Sequence, residues 1–239
     1  MAQLAFECTG AHAEPYAAAP TLAFTVRITE GTGERVHAIA LRCQIRIEPT
    51  RRRYSAAETR RLSDLFGDAS RWADTLKPIQ FALVSTVVPA FTGTVDVDVP
   101  VACTYDLEIA SARYFHGLDD DTVALLLLFS GTVFLKRDNG FAVEQVPWSA
   151  ESPYRLPVAV WRGMVDRYFP GSGWVRCSRQ TLDALGEAKT RRALPTWDAT
   201  IAALLDDAEP SPVAERPPAA VPAQRPAAVP AQPPEGSEG

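Results

Sequence analysis

The stretch VALLLLFSGTVFL, residues 123 to 135, is the most apolar run in the chain, and it ends in the polar sequence KRDNG, residues 136 to 140. A membrane-spanning helix needs about 20 apolar residues, so this run is too short to cross a bilayer. A nucleophile elbow requires Gly-x-Ser-x-Gly, and Ser130 lacks the preceding glycine. The run therefore predicts a strand that is apolar on both faces, at the centre of a sheet.

Two short motifs refine this central strand. Asn139 and Gly140 suit the positive φ angles of a type I′ turn, so residues 141 to 146 are predicted to form a hairpin with it. Ser130 and Gly131 interrupt the apolar run. They indicate a bulge or a close approach of another backbone.

Other segments in the first two-thirds of the chain are also predicted to be strands. β-Branched and aromatic residues are frequent in four further segments, at residues 4–8, 21–28, 36–47 and 81–88. In residues 36–47, successive side chains alternate between two kinds, which predicts one buried face and one solvent-exposed face. The buried face comprises His37, Ile39, Leu41, Cys43, Ile45 and Ile47, and the solvent-exposed face comprises Arg42, Gln44 and Arg46. A similar alternation runs from Val95 to Ile109.

Helical patterns are found between some of the predicted strands and again after the last of them. A capping box at Ser55 and Glu58 predicts a helix over residues 56 to 66. A short helix is expected at 110 to 117, and three more begin near Pro157, Ser178 and Thr196. The fold class is therefore α+β, with an antiparallel, sandwich-like sheet in the N-terminal two-thirds and helices packed at the C-terminal end.

Length and composition indicate one domain with a tail. The chain has 239 residues, of which 46% are hydrophobic, which is enough for one substantial core. The last 31 residues contain nine prolines and the near-repeat RPPAAVPAQ, RPAAVPAQ. We predict a single globular domain over residues 1 to 207 and a disordered Pro/Ala-rich tail over residues 208 to 239.

Charge and cysteine usage exclude several classes of protein. The formal net charge of −5 offers no general attraction to nucleic acid or to anionic membranes, so neither is predicted as a partner. The four cysteines lie far apart without a CxxC pair, and no secretory signal is readable at the N-terminus. A cytoplasmic protein is expected.

Arginines provide the first candidate binding site. Nine arginines and four acidic residues lie between residues 27 and 61, and Arg51, Arg52 and Arg53 are consecutive. This turn predicts a basic patch that binds an acidic partner or, as the alternative for this patch alone, nucleic acid. We expect Arg42 and Arg46 instead to pair with carboxylates of the strand around Asp96 to Glu108.

Aromatic residues provide the second candidate site, in the segment from residue 154 to 174. Most of them are expected in the core, but Tyr154, Met164 and Phe169 form a predicted apolar ledge for a protein partner.

Two arrangements would support other chemistry. Three cysteines occupy inward-facing positions of predicted strands, namely Cys8, Cys43 and Cys103. They could converge on a metal ion, but buried free cysteines are far commoner. No metal or cofactor is therefore predicted. Asp106, Glu108 and His116 would form a metal-dependent enzyme site if they converged in a pocket. This remains an open alternative.

The chain contains the segments VHAIALRCQIRIEP with Arg51 to Arg53 and Tyr54, VPAFTGTVDVDVPVACTYD, LLLLFSGTVF, YRLPVAVWRGMVDRYFPGSGW and RRALPTWDATIAALL. Together these segments resemble an uncharacterised actinobacterial family of unknown function. The resemblance covers about residues 1 to 206. Members of that family often lie beside genes for uptake [NiFe] hydrogenases, which implies an accessory or assembly role and assigns no catalytic residues.

A partial likeness to the export chaperone SecB covers about residues 120 to 170. It consists of a strand ending in SGTVF, a hairpin, and YRLP opening a helix that ends at FP. The leading hypothesis is a non-enzymatic accessory protein that binds other proteins, such as hydrogenase or maturation components. A SecB-like binder of unfolded segments is the first alternative. The oligomeric state is not readable from the sequence.

Overall fold

A computed structural model describes residues 3–104, 109–119, 121–137, 140–173 and 175–208. These residues form two compact units, one ending at Arg176 and one beginning at Cys177. The single domain over residues 1 to 207 stays a prediction. The disordered tail over 208 to 239 falls almost entirely outside the described residues.

The first unit contains two antiparallel sheets. Its strands are β1 (Leu4–Ala13), β2 (Thr21–Glu30), β3 (Val36–Ile47), β4 (Ile79–Val88), β5 (Thr94–Ala102), β6 (Thr122–Arg137), β7 (Gly140–Gln145) and β8 (Glu151–Pro157). One sheet has the order β1-β2-β5, and the other has the order β4-β3-β6-β7 with β8 also paired to β6. Together with helices at the C-terminal end, these sheets confirm the α+β fold class.

The apolar run lies in β6, at the centre of the larger sheet. β3 pairs with one edge of β6, while β8 and β7 pair successively with the other. Val123 to Leu127 are all buried, on both faces of the strand. The predicted central strand is confirmed, and so is its hairpin with β7, although Asp138 and Asn139 of the turn lie outside the described residues.

Gly131 allows another strand to approach β6 closely. Its φ is +142°, and it lies opposite Leu41 without a shift of register. A Cβ atom there would lie 3.1 Å from the carbonyl carbon of Ala40 and closer still to its oxygen. Of the two predicted features, a bulge or a close backbone approach, the structure therefore has the close approach.

Apolar side chains of the two sheets meet in one core. Phe6 of β1 stacks on Phe129 of β6, with 4.7 Å between ring centroids. The amide of Cys8 donates a hydrogen bond of 2.9 Å to Ser152 Oγ, which joins β1 to β8.

Helices complete the first unit. The segment between β3 and β4 holds α1 (Ala56–Arg61), α2 (Ser63–Phe66) and α3 (Trp72–Thr75), while α4 (Ala110–Gly117) precedes β6 and α5 (Val158–Tyr168) follows β8. Trp161 of α5 stacks on Phe115 of α4 at 5.0 Å. The capping box at Ser55 and the helix start at Pro157 are both confirmed.

Three expectations were wrong. The single helix over residues 56 to 66 is broken at Leu62. A register shift between Val36 and Ala38 buries Val36 and leaves His37 exposed, so His37 does not share the buried face.

The third error concerns ion pairing. Asp96 pairs with Arg27 of the neighbouring strand in the smaller sheet, and Asp98 accepts a hydrogen bond from Thr25. Arg46 lies in the other sheet and pairs with Glu48. Asp106 and Glu108, the other expected partners of Arg42 and Arg46, lie outside the described residues.

The second unit contains two helices, α6 (Arg179–Arg191) and α7 (Trp197–Ala208). Ser178 Oγ accepts a hydrogen bond of 3.1 Å from the amide of Thr181, and Thr196 Oγ1 accepts one of 3.1 Å from the amide of Ala199. Both predicted helix starts are confirmed. Across the described ranges, no helix is long and apolar enough to cross a membrane.

Candidate functional site

The turn after β3 carries the three consecutive arginines to the start of β6. Pro49 to Arg51 form a short 3-10 helix, and the amide of Glu48 donates a hydrogen bond of 2.9 Å to the carbonyl oxygen of Ala124. Because β8 runs antiparallel to β6, Ala124 lies opposite Arg155 and Leu125 lies opposite Tyr154. The fold thus brings part of the arginine turn next to one residue of the predicted aromatic ledge.

Two adjoining cavities mark this place, and we call them together the arginine cleft. The polar cavity, of about 520 Å³, is lined by Thr50, Arg51, Arg52, Arg53, Asp121 and Arg155. The apolar cavity, of about 280 Å³, is lined by Arg51, Ala124, Leu125, Pro153, Tyr154 and Arg155. Arg51 and Arg155 belong to both cavities.

The cleft is positively charged. Arg51, Arg53 and Arg155 are exposed, and none of them has a carboxylate partner among the residues that the structure describes. Some exposed arginines elsewhere are paired, as Arg137 is with Glu34, whereas others, such as Arg35 and Arg71, also have no carboxylate partner in the described ranges. Asp121 is the one acidic residue that lines either described cavity. Unpaired guanidinium groups beside a cavity attract anions.

Arg52 differs from its two neighbours because its side chain is buried. Its guanidinium donates to Glu58 and to the carbonyl oxygen of Thr122, and the two charged side chains are only 4% and 3% exposed. Glu58 also accepts hydrogen bonds of 2.8 Å from the amides of Ser55 and Asp119. Arg52 therefore holds the turn in place and is not accessible to a partner.

Tyr154 is among the residues that line the apolar cavity, but its ring packs on the core side of β8, opposite Arg155. Its ring is half-buried and makes an edge contact with Phe24, with centroids 6.2 Å apart. Burial raises the pKa of the Tyr154 hydroxyl, so the side chain stays neutral and adds no negative charge to the site.

The other two residues of the predicted ledge lie elsewhere. Met164 is 0% exposed and belongs to the core, and Phe169 is half-buried and packs against that core. The structure therefore does not join Tyr154, Met164 and Phe169 into one exposed surface.

The alternative enzyme site is only partly described. His116 is exposed and lines a cavity of about 810 Å³ with Arg61, Asp64 and Arg113, whereas Asp106 and Glu108 lie outside the described residues. Arg113 pairs with Asp64, and a hydrogen bond from Arg61 lowers the pKa of Asp119. Within the described ranges, no three His, Cys, Asp or Glu side chains are grouped as a metal site.

Three of the four cysteines, Cys8, Cys43 and Cys103, have thiols perturbed by burial. All four are free, and Cys8 and Cys43 are buried. Burial raises the pKa of Cys8 to about 11 and the pKa values of Cys43 and Cys103 to about 12. These three thiols are therefore protonated near neutral pH.

Sequence reasoning missed two features. Arg155 was not singled out, because β8 was not predicted as a strand. The outer face of the larger sheet also exposes apolar side chains, with Leu83, Val87, Phe141 and Val143 between 56% and 68% exposed. The alternation of β7, which pairs with β6, would have indicated Phe141 and Val143.

Comparisons with known proteins give a family and no function. No curated protein sequence matches the chain. Among solved structures, the crystal structure of a β-glucosidase from Kluyveromyces marxianus aligns at 6% identity with a TM-score of 0.24. That alignment covers 64% of this chain and 15% of the β-glucosidase, and the likeness is too low to carry an argument. The model of a family of unknown function, DUF6084, matches residues 1–213, and the chain belongs to this family.

Proposed function

We propose that this chain is a non-enzymatic accessory protein of the cytoplasm that binds other proteins through the arginine cleft. One observation supports this function most directly. Arg51, Arg53 and Arg155 surround the cleft without carboxylate partners in the described part of the chain, although the protein carries a net negative charge. A carboxylate from another protein would supply the missing partner.

Arginine suits such a contact for two physical reasons. Its planar guanidinium donates two parallel hydrogen bonds to one carboxylate, which gives orientation as well as affinity. Arginine and tyrosine are also enriched among the residues that dominate interface energies. Arg51 and Arg155 are exposed in the cleft and are available for such contacts.

The partner that we propose is a component of a [NiFe] hydrogenase or of its maturation machinery. The support comes from the resemblance of the quoted segments to an actinobacterial family encoded beside uptake hydrogenases. It is independent of the cleft geometry.

Affinity purification from the native host tests this function. The intact protein is compared with an Arg51→Ala/Arg53→Ala/Arg155→Ala variant, and mass spectrometry identifies the proteins that co-purify. Arg52 is left intact because it is buried in an ion pair. The matched control is Arg35→Ala/Arg60→Ala/Arg71→Ala, which removes three exposed arginines that line neither cavity of the cleft.

We expect hydrogenase or maturation proteins with the intact chain and with the control, and their loss from the cleft variant. Circular dichroism and thermal unfolding of both variants verify that each is folded. Equal recovery of partners by all three forms would refute the role of the cleft. A partnerless intact protein would refute the accessory function.

A SecB-like chaperone is the second candidate, and the exposed apolar side chains on the outer face of the larger sheet favour it. A binder of unfolded segments would slow the aggregation of a denatured test protein such as citrate synthase. Replacing Val87 and Phe141 by serine would remove that effect without touching the arginine cleft. Undiminished protection by this variant, or no protection by the intact chain, would exclude the chaperone function through this face.

A further inference from the structure

We propose that the arginine cleft recognises a composite peptide element, an acidic side chain with an apolar side chain next to it in the partner segment. This inference rests on the proposed function, because it names the chemistry of the partner that binds there. A basic patch alone would require only negative charge. The cleft has two compartments of different chemistry.

The two compartments are joined by shared walls. Arg51 and Arg155 line both the polar and the apolar cavity. A ligand group held by these two guanidinium groups is therefore beside the apolar cavity. Along an extended peptide each residue advances the chain by about 3.3 Å, so neighbouring or next-but-one side chains can occupy the two cavities at once.

The polar cavity attracts an anionic group. Three unpaired arginines and one aspartate line it, and Arg52 contributes no free charge because it is neutralised by Glu58. The balance of 3 positive and 1 negative exposed side chains gives a net charge of +2. A single carboxylate is attracted by the arginines, whereas the negative Asp121 disfavours a dense polyanion.

The apolar cavity has room for one large apolar side chain. Ala124, Leu125, Pro153 and Tyr154 line it together with Arg51 and Arg155. Its volume of about 280 Å³ corresponds to about nine times the 30 Å³ that a water occupies in the liquid. One leucine or phenylalanine side chain fits that space. An inorganic anion would leave it unfilled.

Binding of short capped peptides to the full chain tests this inference, followed by NMR chemical-shift titration at low salt. The probes are Ac-Ala-Glu-Phe-Ala-NH2, Ac-Ala-Glu-Ala-Ala-NH2 and Ac-Ala-Gln-Phe-Ala-NH2. Burying the phenylalanine ring contributes about 1.5 kcal/mol or more. We therefore expect the first peptide to bind about ten-fold more tightly than the second. The third peptide should also bind at least ten-fold more weakly than the first, since it lacks the negative charge of the glutamate.

Protein variants locate the site. The Arg51→Ala/Arg155→Ala variant should bind the Glu-Phe peptide at least ten-fold more weakly than the intact chain. The Arg35→Ala/Arg71→Ala variant should bind it with an affinity within two-fold of the intact chain. Equal affinity of the Glu-Phe and Glu-Ala peptides would refute the composite element. Equal affinity of Glu-Phe and Gln-Phe would refute the charge requirement.

Two small probes distinguish other sources of the same chemistry. Binding of 3-phenylpropionate without any binding of the Glu-Phe peptide would mean that the cleft takes a free amphiphilic acid, which overturns a peptide ligand. Tighter binding of inorganic phosphate than of the Glu-Phe peptide would also overturn it. If the arginine variant loses its partner proteins in the native host but the peptides show no preference, the proposed function holds and this inference falls.

Discussion

Replacing Gly131 by alanine should strongly destabilise the fold, because two separate penalties act at this position. Gly131 has a φ of +142°, a conformation that costs a residue with a Cβ about 1–3 kcal/mol. The added Cβ would also lie 3.1 Å from the carbonyl carbon of Ala40 and 3.2 Å from the Cα of Leu41. Such overpacking against rigid backbone costs about 1–3 kcal/mol more.

The two penalties can be separated with a matched glycine. Gly140 has a similar φ of +121°, but a Cβ added there would meet nothing within 4 Å. Gly140→Ala therefore carries only the backbone penalty, about 1–3 kcal/mol. Gly131→Ala carries both, so its free energy of unfolding should fall by about 4 kcal/mol in total.

Urea unfolding followed by circular dichroism measures both losses. With a denaturant dependence of about 2 kcal/mol per molar, the midpoint of Gly131→Ala should fall by about 2 M urea. The midpoint of Gly140→Ala should fall by about half as much. If the two variants had equal midpoints, the close approach of β3 and β6 at Gly131 would be disproved.

Three further changes test the surroundings of the cleft and the core. Arg52→Ala should lower the free energy of unfolding by about 3–5 kcal/mol, because it leaves the Glu58 carboxylate buried and unpaired. The control Arg53→Ala should change the free energy of unfolding by less than about 0.5 kcal/mol, because Arg53 is exposed. Equal urea midpoints of the two variants would contradict this prediction. Ser55→Ala removes the cap that accepts from the amide of Glu58 and should cost about 1 kcal/mol in the same assay, with a loss near zero counting against the cap. Burial raises the pKa of Cys43 to about 12, so this thiol should react with a disulfide reagent at pH 8 at least about a hundred-fold more slowly in the native protein than in urea, as followed by peptide mapping.

The same thiol makes stability depend on alkaline pH. An unfolded cysteine releases its proton near pH 8.5, while folded Cys43 keeps its proton until about pH 12. Between these values the unfolded state holds fewer protons than the folded state. The free energy of unfolding should therefore fall as the pH rises from about 9. Cys43→Ala should weaken this fall, and an identical pH profile would contradict the burial of the thiol.

Local periodicity predicted most strands and helix starts because the physical signal lies within the segment itself. The run in β6 is apolar on both faces because it is covered on both faces. Ser178 and Thr196 cap their helices through bonds to backbone amides three residues away. In each case the sequence neighbours provide the interaction.

Long-range pairing could not be predicted in the same way. The partner expected for Arg46 lies in the other sheet, because nothing within a strand specifies which sheet it joins. Arg155 was missed for the same reason: its place in the cleft depends on pairing between β6 and β8. The arginine turn was predicted, but only the structure separates buried Arg52 from exposed Arg51 and Arg53.

Burial of one arginine makes the cleft a preformed site. The Glu58 carboxylate accepts from Arg52, from the amide of Ser55 and from the amide of Asp119, so it joins the turn after β3 to the first helix and to the segment before β6. The exposed arginines beside Arg52 are thereby carried by a backbone that is already fixed. The free-energy cost of binding a partner is then mainly that of ordering side chains, because the loop backbone is already ordered in the free protein. The cost of burying the Arg52 and Glu58 charges thus falls on folding rather than on association.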